Sequence, residues 1–219
     1  MCFSATASFA TAAVAGAIGV AAVARADNAR DLPLASIPLF FAMQQLAEGA
    51  LWLTLPVAPE SAVSSWSTHT YLIFALVFWP VFAPLAALLI EPQQTRRHLI
   101  GACLAFGIAV AAYFLWLVVL LPHSASIAGG FIRYETGSEA PFVAGGFYLL
   151  ATTFGLLLSS HRAVVLLGLI VLAGYVTTLY FYANAFISVW CFFAAAASVV
   201  IIVHFEWARA RRRAAALAP

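Results

Sequence analysis

The chain has 219 residues, 65% hydrophobic and only 8% charged, with a formal net charge of +2 and a mean hydropathy of +1.02. That leaves too little polar surface to cover a water-soluble globule, so soluble enzyme and soluble binding-domain classes are excluded and a bilayer must solvate much of the chain. The small positive charge comes from a basic tail, Arg209 to Arg213, a pattern that signals membrane topology beside anionic lipid and gives no reason to expect a nucleic-acid partner.

Run length predicts seven transmembrane helices at roughly 5–24, 34–56, 70–90, 98–121, 142–160, 163–181 and 186–206. The fold class expected is therefore all-α: a polytopic seven-helix bundle forming a single membrane-embedded domain over residues 1–219. No basic segment precedes the first run, and Arg25 follows it, so it reads as a first span and not as a cleaved leader. Ser4, Ser8, Ala12 and Gly16 recur in it at four-residue spacing, which predicts a small-residue face for close packing inside the bundle.

The second helix carries the sharpest local signal. Gln44, Glu48 and Trp52 share one face, with Gln45 beside them. Glu48 should lie about 12 Å from the end of its helix at about 1.5 Å per residue. A carboxyl at that depth costs a few kcal/mol unless it is neutral, paired or facing water. It reads either as a ligand anchor, metal ligand or proton carrier, or as a hydrogen-bonded pin between helices. In the third helix, Pro80 and Pro84 should kink the rod and free backbone carbonyls near mid-membrane.

Between the fourth and fifth helices lies the longest connection, about Pro122 to Pro141, holding His123, Arg133, Tyr134 and a Gly129-Gly130 pair. It suits either a lid or a plain connector. Around the start of the seventh helix stand Ser188, Trp190 and Cys191, with Cys191 about 8 Å below the boundary by the same helical rise. Cys2, Glu48 and Cys191 are the residue types a transition metal takes, although no CxxC, HxxxH or HExxH spacing accompanies them. Trp66 and His69 fall near the same membrane level.

Orientation follows from the arginines. Nine of the ten basic residues (Arg25, Arg30, Arg96, Arg97, Arg162 and the four of the tail) sit after helices 1, 3 and 5 or at the C-terminus, and only Arg133 lies on the other side. The positive-inside rule places the C-terminus in the cytoplasm and the N-terminus outside. His98, His161 and His204 then share the cytoplasmic level. The chain has no lysine, so a retinal Schiff base has no amine to form on.

The opening MCFSATASF, QQLAEGALW at 44–52, LVFWPVFAPL at 76–85, LLLSSHR at 156–162 and ISVWCFFAA at 187–195 are similar to an uncharacterised family of small bacterial integral-membrane proteins that begin MCFSA. The resemblance covers nearly the whole chain. It implies a multi-helix protein of a bacterial inner membrane and singles out Cys2, Gln45, Glu48, His161, Trp190 and Cys191, but implies no activity.

The function expected is binding or sensing of a small ligand or metal in an outward-opening polar pocket between helices 1, 2, 3 and 7. Gln44, Gln45, Glu48, Trp52 and Trp190 would contact the ligand, and Cys2, Glu48 and Cys191 would hold a metal. Two other classes compete with this reading. One is a metal-dependent hydrolase built on His98, His161 and His204, and the other a small transporter carrying protons through Glu48.

Overall fold

The computed structural model describes residues 4–136, 142–182 and 185–217. Among them the chain forms seven helical rods and one β-hairpin. Five of the rods are long and apolar enough to cross a membrane. The other two are α2 (Leu32–Thr54), which carries Gln44, Gln45 and Glu48, and the shorter α6 (Phe142–Leu157).

Helix α1 (Ala5–Val23) starts at Ser4, whose side chain accepts the Ala7 N–H. It pairs with α2 (Leu32–Thr54) across the turn holding Arg25 and Arg30. The buried face of α1 is Ser8, Ala12, Ala15, Gly19 and Ala22, so the expected row 4, 8, 12, 16 holds only at its centre. A strict four-residue repeat drifts on a helix of 3.6 residues per turn, and the seam corrects itself by stepping four, three, four, three. Gly19 supplies the close approach, since a Cβ there would lie 2.8 Å from the Leu39 backbone nitrogen.

The third rod begins at Ala62, well before residue 70. Ser61 caps it by accepting the Ser64 N–H, and its first turns carry Ser64, Ser65, Ser67 and Thr68, whose polarity hid them from a search for apolar runs. It runs through α3 (Ala62–Leu72), a π-helical stretch (Ile73–Phe78) and α4 (Trp79–Ile90). Pro80 explains the wide turn. In π geometry residue 80 would donate to the carbonyl of residue 75, and proline has no N–H to give. The Tyr148 hydroxyl, from α6, donates to the Ala75 carbonyl instead. Tyr148→Phe should therefore strand a buried carbonyl and cost about 1–3 kcal/mol, measured by thermal or denaturant unfolding in detergent.

Helix α5 (Gln94–Leu120) leads into the hairpin, β1 (Ser124–Ala128) and β2 (Phe131–Glu135). Ala128 pairs with Phe131, and Gly129 and Gly130 turn the chain at φ of 61° and 81°. Two consecutive positive φ values in a two-residue loop are the geometry that glycines permit and that matches strand twist. The all-α expectation is corrected here: the fold is mostly helical, with a two-stranded sheet at one end.

Helices α6 (Phe142–Leu157) and α7 (Arg162–Phe181) follow. The seventh rod is divided at Ser198 into α8 (Phe186–Ala197) and α9 (Val199–Leu217). The Ser198 hydroxyl and N–H both donate to the Ala195 carbonyl, drawing the backbone into a tight turn. Apolar side chains such as Val20, Trp116, Val119 and Phe181 project outward, as a lipid-facing surface requires.

Candidate functional site at the hairpin end

The hairpin end of the bundle holds a buried polar cluster built by α2, α3 and α8. Gln44 and Glu48 stand one turn apart on α2, and with Gln45 all three side chains have 0% exposure. Gln44 Oε1 accepts from the Trp79 indole N–H at 2.9 Å. Glu48 Oε1 accepts from the Ser188 hydroxyl at 2.5 Å. Three residues along α8 from Ser188 stands Cys191, also buried. Tyr71, Ala75 and Cys191 form one buried cluster. On the far side of α2, Phe9 of α1 packs against Gly49, where a Cβ would meet its ring at 2.7 Å.

The hairpin closes this cluster. Tyr134 stacks on Tyr71, with ring centroids 4.5 Å apart and planes within 5°. Ile132 packs with Leu51 and Leu55. The pocket expected to open at its mouth is thus covered. Trp52 lies in the Ile132 cluster under the hairpin. Trp190 turns away from Ser188 and donates its indole N–H to the Val171 carbonyl at 3.2 Å. Its ring meets those of Tyr148 and Tyr175. Cavities of about 50 and 220 Å³ both border Tyr148, Trp190 and Cys191. Cys2 lies outside the described residues, and so does its expected proximity to Cys191.

Several buried polar atoms here have no hydrogen-bond partner among the described residues: Ser8 Oγ, both amide atoms of Gln45, and the Trp52 indole nitrogen. At the rim, His69 and His123 meet edge to face at 4.0 Å. Sequence reasoning missed Tyr71, Trp79 and Tyr148 as members of the site. Tyr71, Ala75 and Trp79 do repeat at four-residue spacing, but that pattern is no different from ordinary helix packing.

The opposite, arginine-rich end is a structural clamp. Glu91, in the connection between α4 and α5, accepts from the Ser160 N–H at 2.7 Å and hydroxyl at 2.5 Å, from the Ser159 hydroxyl at 3.2 Å and from the Gln93 N–H at 3.1 Å. Arg96 donates to the Leu158 carbonyl at 2.7 Å, and His161 Nε2 faces the Ile90 carbonyl at 3.0 Å. LLLSSHR therefore ties the α6–α7 turn to the α4–α5 turn. Burial pushes the Glu91 carboxyl up, but the hydrogen bonds led by Ser160 outweigh it and hold the group below its usual value of 4.5. A carboxyl depressed in the folded state stabilises fully above its unfolded pKa, and that stability is lost as pH falls through the folded value. Unfolding temperature should therefore fall with pH below the ordinary carboxylate range, and Glu91→Gln should flatten that slope.

The histidines at this end do not assemble as a hydrolase would need. His161 and His204 are neighbours, with rings 5.5 Å apart, while exposed His98 pairs with Gln94. Among the described residues no three His, Cys, Asp or Glu side chains converge on a metal position.

No curated protein and no solved structure matches the chain. A family model does, over residues 1–218, and the chain belongs to that family, the family of unknown function DUF6629.

Proposed function

We propose that this is a seven-span protein of a bacterial inner membrane, with the arginine end in the cytoplasm, that binds or senses a small ligand at the buried polar cluster around Glu48. Five rods of sufficient length and apolarity, with α2 and α6 packed among them, support the span count, and the arginine asymmetry supports the orientation. The observation that carries the binding reading is a carboxyl with no exposure in the middle of a span, flanked by Gln45, whose amide has no partner among the described residues. Such groups are costly in a membrane and mark functional sites by default. The cavity of about 220 Å³ beside Cys191 offers room for an apolar body. Glu48 and Gln44 do not line that cavity; they would supply polar recognition from the buried cluster beside it, under the hairpin.

A metal is the second reading, favoured by the presence of a thiol and a carboxylate in one cluster. Protein purified in detergent should release a small molecule on denaturation, identifiable by mass spectrometry, or carry a metal by elemental analysis. Finding neither, with no protection of Cys191 from a membrane-permeant maleimide by any membrane extract, would sink the binding reading. Ligand flux in proteoliposomes would move it to a transporter. A C-terminal reporter active only in the periplasm would reverse the orientation.

A further inference from the structure

A pair of histidines stands at the hairpin end, outside the Glu48 cluster. His69 lies in the last turn of α3, and His123 in the connection between α5 and β1. Their rings meet with centroids 4.0 Å apart and planes at 77°. His69 Nδ1 faces the Ser65 carbonyl at 2.8 Å, and His123 Nδ1 faces the Leu121 carbonyl at 3.2 Å. A carbonyl oxygen can only accept. In each neutral ring the proton therefore sits on Nδ1, and Nε2 keeps its lone pair.

Neither Nε2 is spent within the protein. His123 Nε2 is buried and has no hydrogen-bond partner among the described residues, a bare acceptor that is costly unless something binds it. His69 is exposed, and its Nδ1 contact is the only hydrogen bond it makes among the described residues. Two of the other histidines differ in this respect. His98 Nε2 meets the Gln94 amide at 3.0 Å, and His161 Nε2 meets the Ile90 carbonyl at 3.0 Å. An imidazole whose Nδ1–H is held by a carbonyl and whose Nε2 is open is the form in which histidine ligates a metal, because the carbonyl fixes both tautomer and ring orientation. Here two such rings from separate elements lie side by side.

We propose that His69 and His123 bind one divalent transition-metal ion through their Nε2 atoms, with Cu²⁺ preferred over Zn²⁺. Neutral imidazoles suit both ions and the general affinity order puts Cu²⁺ first, whereas Mg²⁺ takes oxygen ligands. Ring centres 4.0 Å apart keep the two nitrogens close enough to share one ion after a small side-chain adjustment. Among the described residues no third His, Cys, Asp or Glu joins them, so water completes the coordination. The bound ion ties the base of the hairpin to α3 and so holds the hairpin over the Glu48 cluster. The site is independent of what that cluster binds.

The test is calorimetric titration of the full chain in detergent, first stripped with a chelator, with Cu²⁺, Zn²⁺ and Mg²⁺. The expected result is one Cu²⁺ per chain, weaker Zn²⁺ binding and no Mg²⁺ binding. The electron paramagnetic resonance spectrum of the Cu²⁺ form should show nitrogen coupling from imidazole. His69→Ala and His123→Ala should each weaken Cu²⁺ binding about tenfold or more, since loss of a ligand should cost no less than loss of an outer-shell support. Cu²⁺ should raise the unfolding temperature of the parent but not of His69→Ala. His98→Ala and His204→Ala, at the arginine end, should leave the affinity unchanged. The site is overturned if no Cu²⁺ binds, if Mg²⁺ binds as well as Cu²⁺, or if His204→Ala acts as strongly as His69→Ala. It is also overturned if His69→Ala and His123→Ala bind like the parent, which would move the ion to the Glu48 cluster.

Discussion

Gly107→Ala should prevent this protein from accumulating in a folded form, or lower its stability by about 3 kcal/mol or more. A Cβ at position 107 of α5 would stand 1.9 Å from the Pro80 carbonyl oxygen and 2.9 Å from its carbon. The obstacle is backbone of α4, which no rotamer change can move. Pro84 is the reason that carbonyl is there. It lacks the N–H that would otherwise bond residue 80 within the helix, so the oxygen turns outward and rests against the glycine Cα hydrogens. Separating the helices would also loosen the packing of Gly155 on Pro84, where a Cβ would lie only 3.0 Å away. Gly101→Ala in the same helix is the control. Nothing lies within 4 Å of its added methyl, so the change should stay within about 1 kcal/mol of the parent. Unfolding curves of the two variants in one detergent would settle the comparison, and equal stability would mean that α4 and α5 do not approach as described.

Glu48 should separate two roles when it is replaced in two ways. Glu48→Gln keeps an acceptor for the Ser188 hydroxyl, so the fold should remain within about 1 kcal/mol of the parent. Removal of the carboxyl should nevertheless abolish retention of the co-purifying ligand or metal. Glu48→Leu also removes that acceptor, at a cost of about 1–3 kcal/mol. If Glu48→Leu changes neither stability nor the co-purifying species, Glu48 is incidental to both. If only stability falls, the carboxyl is a pin between α2 and α8 and the ligand reading fails.

The sequence disclosed the rods more completely than the site. Apolar run length located every helical rod, because exclusion from water acts on the whole run. It failed where polarity and helicity coincide, in the serine-rich first turns of α3 and in the arginine-bearing extension of α9. The hairpin was legible in principle, since Gly129 and Gly130 are the residues a two-residue strand turn requires. Its strands alternate only weakly, so the segment has the pattern of a loop. For the site, Glu48 and Gln44 stood out because polar groups are rare at that depth, and Ser188 and Cys191 because they share a level with them. Tyr71 and Tyr134 did not, as aromatic residues near helix ends are ordinary in a membrane protein. Their stacking depends on a hairpin folding back over the bundle, which no local spacing encodes.

The wide turn at residues 73–78 also acts as a phase shifter. Each residue advances an α-helix by about 100°, so positions four apart slip progressively around the rod. A π-helical turn takes up one extra residue and removes that slip. It lets Tyr71, Ala75 and Trp79 line up, so that Tyr71 meets the hairpin and Cys191 while Trp79 reaches Gln44. Loss of a single residue from this turn would leave composition and hydrophobicity almost unchanged. It would rotate the whole lower half of the rod by about 100°, carrying the Trp79 indole off Gln44 and both prolines off the glycines shaped to receive them.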